Sequence, residues 1–424
     1  MTTYKAFSLQ EWLTYIETRH REPIQLGLPR IQAFAKALDV LIWDKTVVIT
    51  VGGTNGKGST VASLQAIYSA AGFSVATYIS PHLLTFNERI QINQTPISDQ
   101  ALCEAFLAIH ELDGSSALTY FEMTTLAALV FFKAHQPDVL LLEVGMGGRL
   151  DATNIIDSDL AIVTTVDLDH QAWLGDTVEA IGYEKAGIFR ANKPAIYADT
   201  HPPSSLVNHA NQLHTSLLCL NQDYFIEHNK HRFLLKDKAQ VAYELPALSI
   251  HPKAFAAAMM ASLTLQNRLF VPDEAYQKAA KTITLSGRQE WLKTRVPTLV
   301  DVSHNPQSIH LLAEYVKSHA IQGKVHAVFS GLQGRVLSSL IEPMKHVVDI
   351  WYLSLLDDKR GVSKTHLKQA YTDVMNQEAL PVFNTPLAAY QAAVFEAQPG
   401  DVIIVYGSFV LVSAIMHAYL NEEI

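Results

Sequence analysis

Two cysteines, Cys103 and Cys219, are all that 424 residues contain. That is too few for a disulfide scaffold or a cysteine-rich zinc site. Long apolar runs are missing as well, and the longest fall well short of the roughly 20 residues a helix needs to cross a bilayer. The N-terminal stretch MTTYKAFSLQEWLTYIETRH spaces polar and apolar residues as a helix does and lacks the uninterrupted apolar core of a secretory signal. Basic residues are in the minority, 32 Lys and Arg against 41 Asp and Glu, for a formal net charge of −9. That balance argues against a broad nucleic-acid-binding face but permits a local cationic pocket. No low-complexity tract or repeat period is visible, which excludes disorder and solenoids. What remains is a globular chain, expected in the cytoplasm with neither nucleic acid nor membrane as partner. Its length exceeds one core and suggests two domains, or three.

Against that background the pattern is α/β. TVVITVGG (46–53), PDVLLLEVG (137–145) and DLAIVTTV (159–166) read as buried parallel strands, each with a chemically active residue just beyond its C-terminal end. In open α/β sheets, ligands bind at that edge. A second series, PTLVDVSHNP, KVHAVFSGL, VVDIWYLSLL and DVIIVYGSF, alternates with the amphipathic stretches QSIHLLAEYVKSH and LAAYQAAVFEA and reads as a smaller Rossmann-like α/β domain. The boundaries expected are 1–287, a linker at 288–296, and 297–424. Residues 200–250 carry a weaker, antiparallel pattern assigned loosely to the first domain.

VGGTNGKGST, residues 51–60, carries the first chemistry. A strand feeding glycines and then the helical VASLQAIYSAAG gathers backbone N–H groups at a helix N-terminus, which favours an anion. Thr54, Asn55, Gly56, Lys57, Gly58, Ser59 and Thr60 are therefore the candidate nucleotide-binding residues, with Lys57 neutralising phosphate oxygens and the Ser59 hydroxyl able to face Mg²⁺. The spacing is not GxxxxGK[ST], since Val51 stands at the first position and Gly58 separates Lys57 from Ser59. A bare glycine turn is the competing reading.

Elsewhere the residues alone leave two readings open. Glu143 closes a buried strand, where a carboxylate either binds Mg²⁺ or caps a turn. Behind it, Met146, Gly147, Gly148 and Arg149 form a loop that permits close ligand approach. Ser80 and His82 lie in SPHL, which is also an ordinary turn starter. His170 could be a loop histidine, Lys185 an exposed helical lysine, and LTYFE (118–122) and QLGLPRI (25–31) plain packing segments. Asp301, in DVSHNP between a strand and a helix, could cap that helix.

A family resemblance weighs on these choices. TNGKGS resembles the variant phosphate loop of the Mur ligase superfamily, and GTNGKGST, SPHL, LTYFE, LEVGMGGRLDATN, LDHQAWLG, EKAGIFR, SGR and DVSHNP follow one another, across most of the length, in the order of one family within it. Within that superfamily the chain resembles the bifunctional folylpolyglutamate synthase/dihydrofolate synthase family. The resemblance implies a P-loop ATPase domain with a mostly parallel sheet plus the smaller Rossmann-like domain. It implies ATP and a two-metal site: two Mg²⁺ ions, with Ser80 and Glu143 as ligands, His170 on the second ion, and Lys185 carbamylated so as to join the cluster. A monovalent cation is a further expectation. Gly27, Leu28, Pro29, Thr119, Tyr120, Phe121, Glu122, Leu150, Asp151 and Ala152 match segments that meet the pteroate. Arg288 and Asp301 are expected on the nucleotide side, and His304 near the glutamate and the transferring phosphoryl group. Lys57, Lys185, His170 and His304 are the implied catalytic set. Three positions depart from the family pattern: Lys253 where relatives place an adenine-contacting Asn, LQGR (332–335) where an acidic loop is common, and Val410 where His is frequent.

The implied activity is ATP-dependent ligation of L-glutamate to dihydropteroate and to the γ-carboxylate of reduced folates, through an acyl phosphate, by a monomer. Competing readings are a monofunctional folylpolyglutamate synthase, a P-loop kinase without a glutamate requirement, and an ATP-gated binding protein. A peptidoglycan Mur ligase usually needs an N-terminal UDP-binding domain, for which only some forty-five residues precede the loop.

Overall fold

The computed structural model describes residues 4–19, 25–113, 118–229, 231–378 and 380–424, so that residues 1–3 and 20 of the N-terminal stretch fall outside it. The chain divides into two compact units, Met1–His82 with Phe86–Thr284 and Leu83–Thr85 with Leu285–Ile424.

In the first unit, eight strands form one sheet: β1 (Val47–Gly52), β2 (Val75–Tyr78), β3 (Ile90–Ile92), β4 (Thr95–Pro96), β5 (Val139–Glu143), β6 (Leu160–Val163), β7 (Pro194–Tyr197) and β8 (Ser216–Cys219). Their order is β4-β3-β2-β5-β1-β6-β7-β8. From β2 to β8 every pairing is parallel, and the antiparallel β3 and β4 close one edge. Every residue of β1, β2, β5 and β6 is buried, because helices cover both faces. On one face Val48, Ala76, Leu140 and Leu142 pack against Trp12, Ile31, Phe106 and Leu126, which come from the helices Leu9–Arg19, Pro29–Ala37, Asp99–Asp113 and Tyr120–His135. The helix Lys57–Ala70 packs on Pro252–Thr264 and on Asp273–Thr282. Antiparallel character within 200–250 belongs to a separate small sheet of β9 (Tyr224–His228), β10 (Arg232–Asp237) and β11 (Ala242–Pro246).

The second unit holds six strands, β12 (Glu290–Leu292), β13 (Thr298–Asp301), β14 (Val325–Phe329), β15 (Ile350–Ser354), β16 (Val382–Phe383) and β17 (Val402–Tyr406), in the order β12-β13-β17-β14-β15-β16. All pairings are parallel except that of β12 with β13. β12 lies inside the stretch 288–296 read from the sequence as a linker; Trp291 pairs with Leu299, so this segment is an edge strand. Asn305, with a reciprocal Ser308 bond, caps the helix Pro306–Lys317. The helix-capping reading of Asp301 is therefore wrong, and its carboxylate serves a different purpose described below. Among the described residues no helix is long and apolar enough to cross a membrane.

Leu141 is fully buried in β5, where it pairs with Ile49 on one side and Thr77 on the other. Leu141→Ala should destabilise the first unit by about 2–5 kcal/mol, and Leu141→Met by under about 1.5 kcal/mol. Urea titration at constant m-value measures both.

Candidate active site

Strand β1 ends at Gly52 and the next helix begins at Lys57, so four residues reverse the chain. They do so with φ of +141° at Gly53 and +87° at Gly56. At Gly53 a Cβ would stand 1.8 Å from Thr164 Oγ1, so glycine is demanded by space as well as by conformation. Residues after β6 clamp the turn. Thr54 N donates to Thr165 O at 2.8 Å, Asn55 N to Thr165 Oγ1 at 3.0 Å, and Thr164 Oγ1 to Asn55 O at 2.6 Å. Thr54 Oγ1 donates to Asp167 O at 3.2 Å. Lys57 folds over the turn, its Nζ donating to Gly53 O at 3.0 Å and Thr54 O at 3.2 Å. Ser59 and Thr60 are buried on the first helical turn, where Thr60 Oγ1 donates to Gly56 O at 2.9 Å. A cation and a helix N-terminus above a glycine cradle form an anion site.

One strand over, Glu143 ends β5 in register with Val51 of β1. Its carboxylate is buried and accepts from Ser80 N at 3.1 Å. That bond joins the ends of β5 and β2 and sets Glu143 beside the strand that enters the glycine turn. Among the described residues no group of three or more His, Cys, Asp and Glu converges as a metal cage. Mg²⁺ needs none, since it keeps waters and phosphate oxygens and takes one or two carboxylates. The hard oxygen donors of Glu143 and Ser80 fit that ion. His170, at φ +51°, follows Asp169, whose Oδ1 accepts from His170 N at 2.9 Å.

Lys185 is not an exposed helical lysine. It is 3% exposed in the helix Val178–Ala186, and burial, reinforced by the Lys57 charge, lowers its amine to about 7 against the opposing pull of Asp169 and Asp151. The loop after β5 is pressed onto this helix: a Cβ on Gly148 would lie 2.9 Å from Glu184 O and 3.0 Å from Lys185 O. Arg149 pairs with Glu184 at 2.7 Å.

Beside Ser80 opens a cavity of about 300 Å³. Gly27, Thr119, Phe121, Glu122, Leu150, Asp151, Ala152, Ser80 and His170, all read from the sequence, line it. Leu28, Pro29 and Tyr120 do not; Leu28 and Tyr120 pack against the core and Pro29 starts a helix. Glu122 is already engaged: Arg30 grips it with Nε at 2.9 Å and Nη2 at 2.8 Å, and its Oε2 accepts from Thr119 N at 2.8 Å. Asp151 accepts from Met146 N, Thr153 N and Thr153 Oγ1 at 2.9, 3.0 and 2.7 Å. Phe121 stands against Gly145, where a Cβ would come within 2.5 Å of the ring. Sequence reading missed Gln25, Leu26, Pro81 and Arg89, which also line the cavity. It missed the clamping threonines too; the paired Thr164 and Thr165 at the end of a buried strand were the available signal.

In the second unit Arg288, Asp301 and His304 come together at the C-terminal end of β13. Asp301 is buried and accepts from Gln289 N at 2.9 Å, Ser303 N at 2.8 Å and the Ser303 hydroxyl. Arg288 lies over the Phe409 ring at 5.8 Å, and His304 is 5.8 Å from the same ring. Lys253, one of the departures, pairs with Asp199 at 2.6 Å in the first unit.

Comparison with known proteins agrees with this architecture. Residues 51–219 match the Mur ligase middle domain and residues 287–409 the Mur ligase glutamate ligase domain. The chain has the two-part build of a Mur-type ligase. The dihydrofolate synthase/folylpolyglutamate synthase of Haemophilus influenzae is 37% identical over 420 residues, covering 95% of each chain. The chain belongs to the dihydrofolate synthase/folylpolyglutamate synthase family. The structure of Escherichia coli FolC in complex with DHPP and ADP superposes with a TM-score of 0.94 at 35% identity over 100% of both chains. A bifunctional folylpolyglutamate synthase/dihydrofolate synthase with Mn, AMPPNP and L-glutamate bound gives 0.89 at 36% identity, covering 99% of each.

Because the folded chain holds the Lys185 amine at about 7, against 10.5 for an unperturbed lysine, the unfolded chain binds more protons between those values. Stability contributed by this group therefore rises with pH through that window, and below about pH 7 the full cost of the buried charge applies. In metal-free, CO₂-free buffer, Lys185→Met should be more stable than the native chain at about pH 7, with the gap narrowing toward about pH 10. Urea midpoints across pH read this.

Proposed function

We propose that this chain adds L-glutamate, with ATP, to dihydropteroate and to the γ-carboxylate of reduced folates. The observation that carries the reading is a shared edge: Ser80 lines the acid-sized cavity, its N–H holds Glu143, and Glu143 is in register with the strand that enters the phosphate loop. A carboxylate in the cavity and a terminal phosphate on the loop meet there. The full-length match to relatives named for this activity supports the same conclusion.

Each part of the chain has a task. The cradle from Thr54 to Thr60 holds the phosphates, and Lys57 moves from loop carbonyls to phosphate oxygens, offsetting charge that develops as the γ-phosphoryl leaves. The cavity orients the acid so that a carboxylate oxygen attacks γ-phosphorus in line, forming an acyl phosphate and ADP. The glutamate α-amine then attacks the activated carbonyl and expels phosphate. Glu143, Ser80 and His170 are the groups that would hold divalent metal, which supplies charge stabilisation for the phosphates. We assign ATP and acid binding to the first unit and glutamate ligation to the second, where Arg288, Asp301 and His304 remain the nucleotide and glutamate candidates. A cytoplasmic monomer completes the reading.

Lys185 fits carbamylation. A neutral amine attacks CO₂, loses a proton and becomes an anion, and a value near 7 provides the neutral form at physiological pH. As a carbamate it would attract Lys57 instead of repelling it. Carbon-13 NMR after incubation with ¹³C-bicarbonate should show one carbamate signal in the native chain and none in Lys185→Arg.

An ADP-release assay tests the function. Release should require glutamate together with dihydropteroate or tetrahydrofolate. Lys57→Ala and Glu143→Ala should each lower it by at least about 10²–10³-fold while melting temperature holds. Glutamate-independent phosphorylation of an acceptor would overturn the reading in favour of a kinase.

A further inference from the structure

We propose that Arg89 binds the carboxylate of the acid occupying the cavity, an inference that rests on the ligase reading above. Arg89 is only 8% exposed and lines the cavity together with Ser80, Pro81 and Thr119. Among the described residues its side chain makes one hydrogen bond, from Nε to His82 Nδ1 at 2.9 Å. His82 accepts that bond at Nδ1, so its imidazole is a neutral acceptor and offers no counter-charge. The guanidinium lies 5.1 Å from the Phe86 ring centre and 5.7 Å from that of Tyr120. Those rings hold it in place and leave its terminal nitrogens for a planar, two-oxygen partner.

Charge accounting within the cavity points the same way. Glu122 is neutralised by Arg30, and Asp151 is saturated by Met146 and Thr153. Arg89 pairs with no carboxylate of the described residues. Buried charges are stable when paired, so the missing anion is one that arrives. Position agrees as well. Ile79 N donates to Arg89 O at 2.9 Å, which sets this residue alongside Ser80 at the edge nearest Glu143. A carboxylate brought there to meet a phosphate is repelled by it, and a fixed guanidinium offsets that repulsion.

The test is calorimetric titration of the full chain, with Mg²⁺ and a non-hydrolysable ATP analogue, using dihydropteroate and its carboxamide counterpart. Arg89→Met should weaken the acid by about 10–100-fold and leave the amide unchanged, with Arg89→Lys intermediate. In turnover, KM for dihydropteroate should rise while KM for ATP stays constant. Equal weakening of acid and amide, or no weakening of either, overturns the proposal and leaves the ligase reading standing. Should Arg89→Met fail to melt cooperatively, Arg89→Lys carries the same comparison: acid-selective loss supports the assignment and equal loss overturns it. Failure of the native chain to bind either compound overturns both this inference and the ligase reading.

Discussion

The absence of a side chain at Gly53 is the constraint on which the site depends. Because nothing occupies that space, Thr164 can approach the turn, and Thr164 and Thr165 hold Asn55 from both its N–H and its carbonyl. The turn is then fixed before any ligand arrives, with its left-handed glycines already in place. Ordering a flexible loop on binding would cost about 1–2 kcal/mol per residue. Here that cost is met during folding by the sheet itself, since β6 is the immediate neighbour of β1.

A second consequence of the same geometry is electrostatic. The helix carrying Lys185 is drawn close to the loop after β5 by Gly148, and the amine ends up buried within reach of the Lys57 charge. Two ammonium groups in one dry region repel, and the buried one gives up its proton more readily. Asp169 and Asp151 oppose this but do not reverse it. A lysine placed where it is least comfortable as a cation is suited to become an anion, and Gly148 is what places it there.

Much of the fold was legible in the sequence because buried parallel strands are continuous β-branched runs: β1, β5, β6, β13, β14, β15 and β17 all fall within the stretches read that way. Short strands such as β3, β4, β12 and β16 were not, for a run of two or three residues has no period to detect. The tight glycine turn from β1 into the helix at Lys57 was legible because glycines and a lysine between a strand and a helix read as one strand–turn–helix unit. Lys185 was not, because burial of a helical lysine is decided by helices and loops distant in sequence. Glu122 carries a second role that its motif did not show: it lines the cavity, and its carboxylate also closes the capping box that starts the helix Tyr120–His135 and grips Arg30.

The charged groups thus divide into those the fold satisfies and those it leaves for a ligand, and sequence does not distinguish the two. Asp301 is engaged by the fold, whatever else it meets. Its oxygens take Ser303 and Gln289, and Gln289 adjoins Arg288, so the acid fixes the turn that carries the guanidinium. Burial raises its carboxyl above the usual range, and those donors and the Arg288 charge offset the rise only in part. Removing Asp301 would therefore loosen the SGR turn even if the carboxylate never touched a nucleotide. Arg89 belongs to the second kind, since aromatic faces and a neutral imidazole support its position without cancelling its charge. Where a fold holds a cation rigidly and gives it no anion, the specificity of the site has been written into the scaffold.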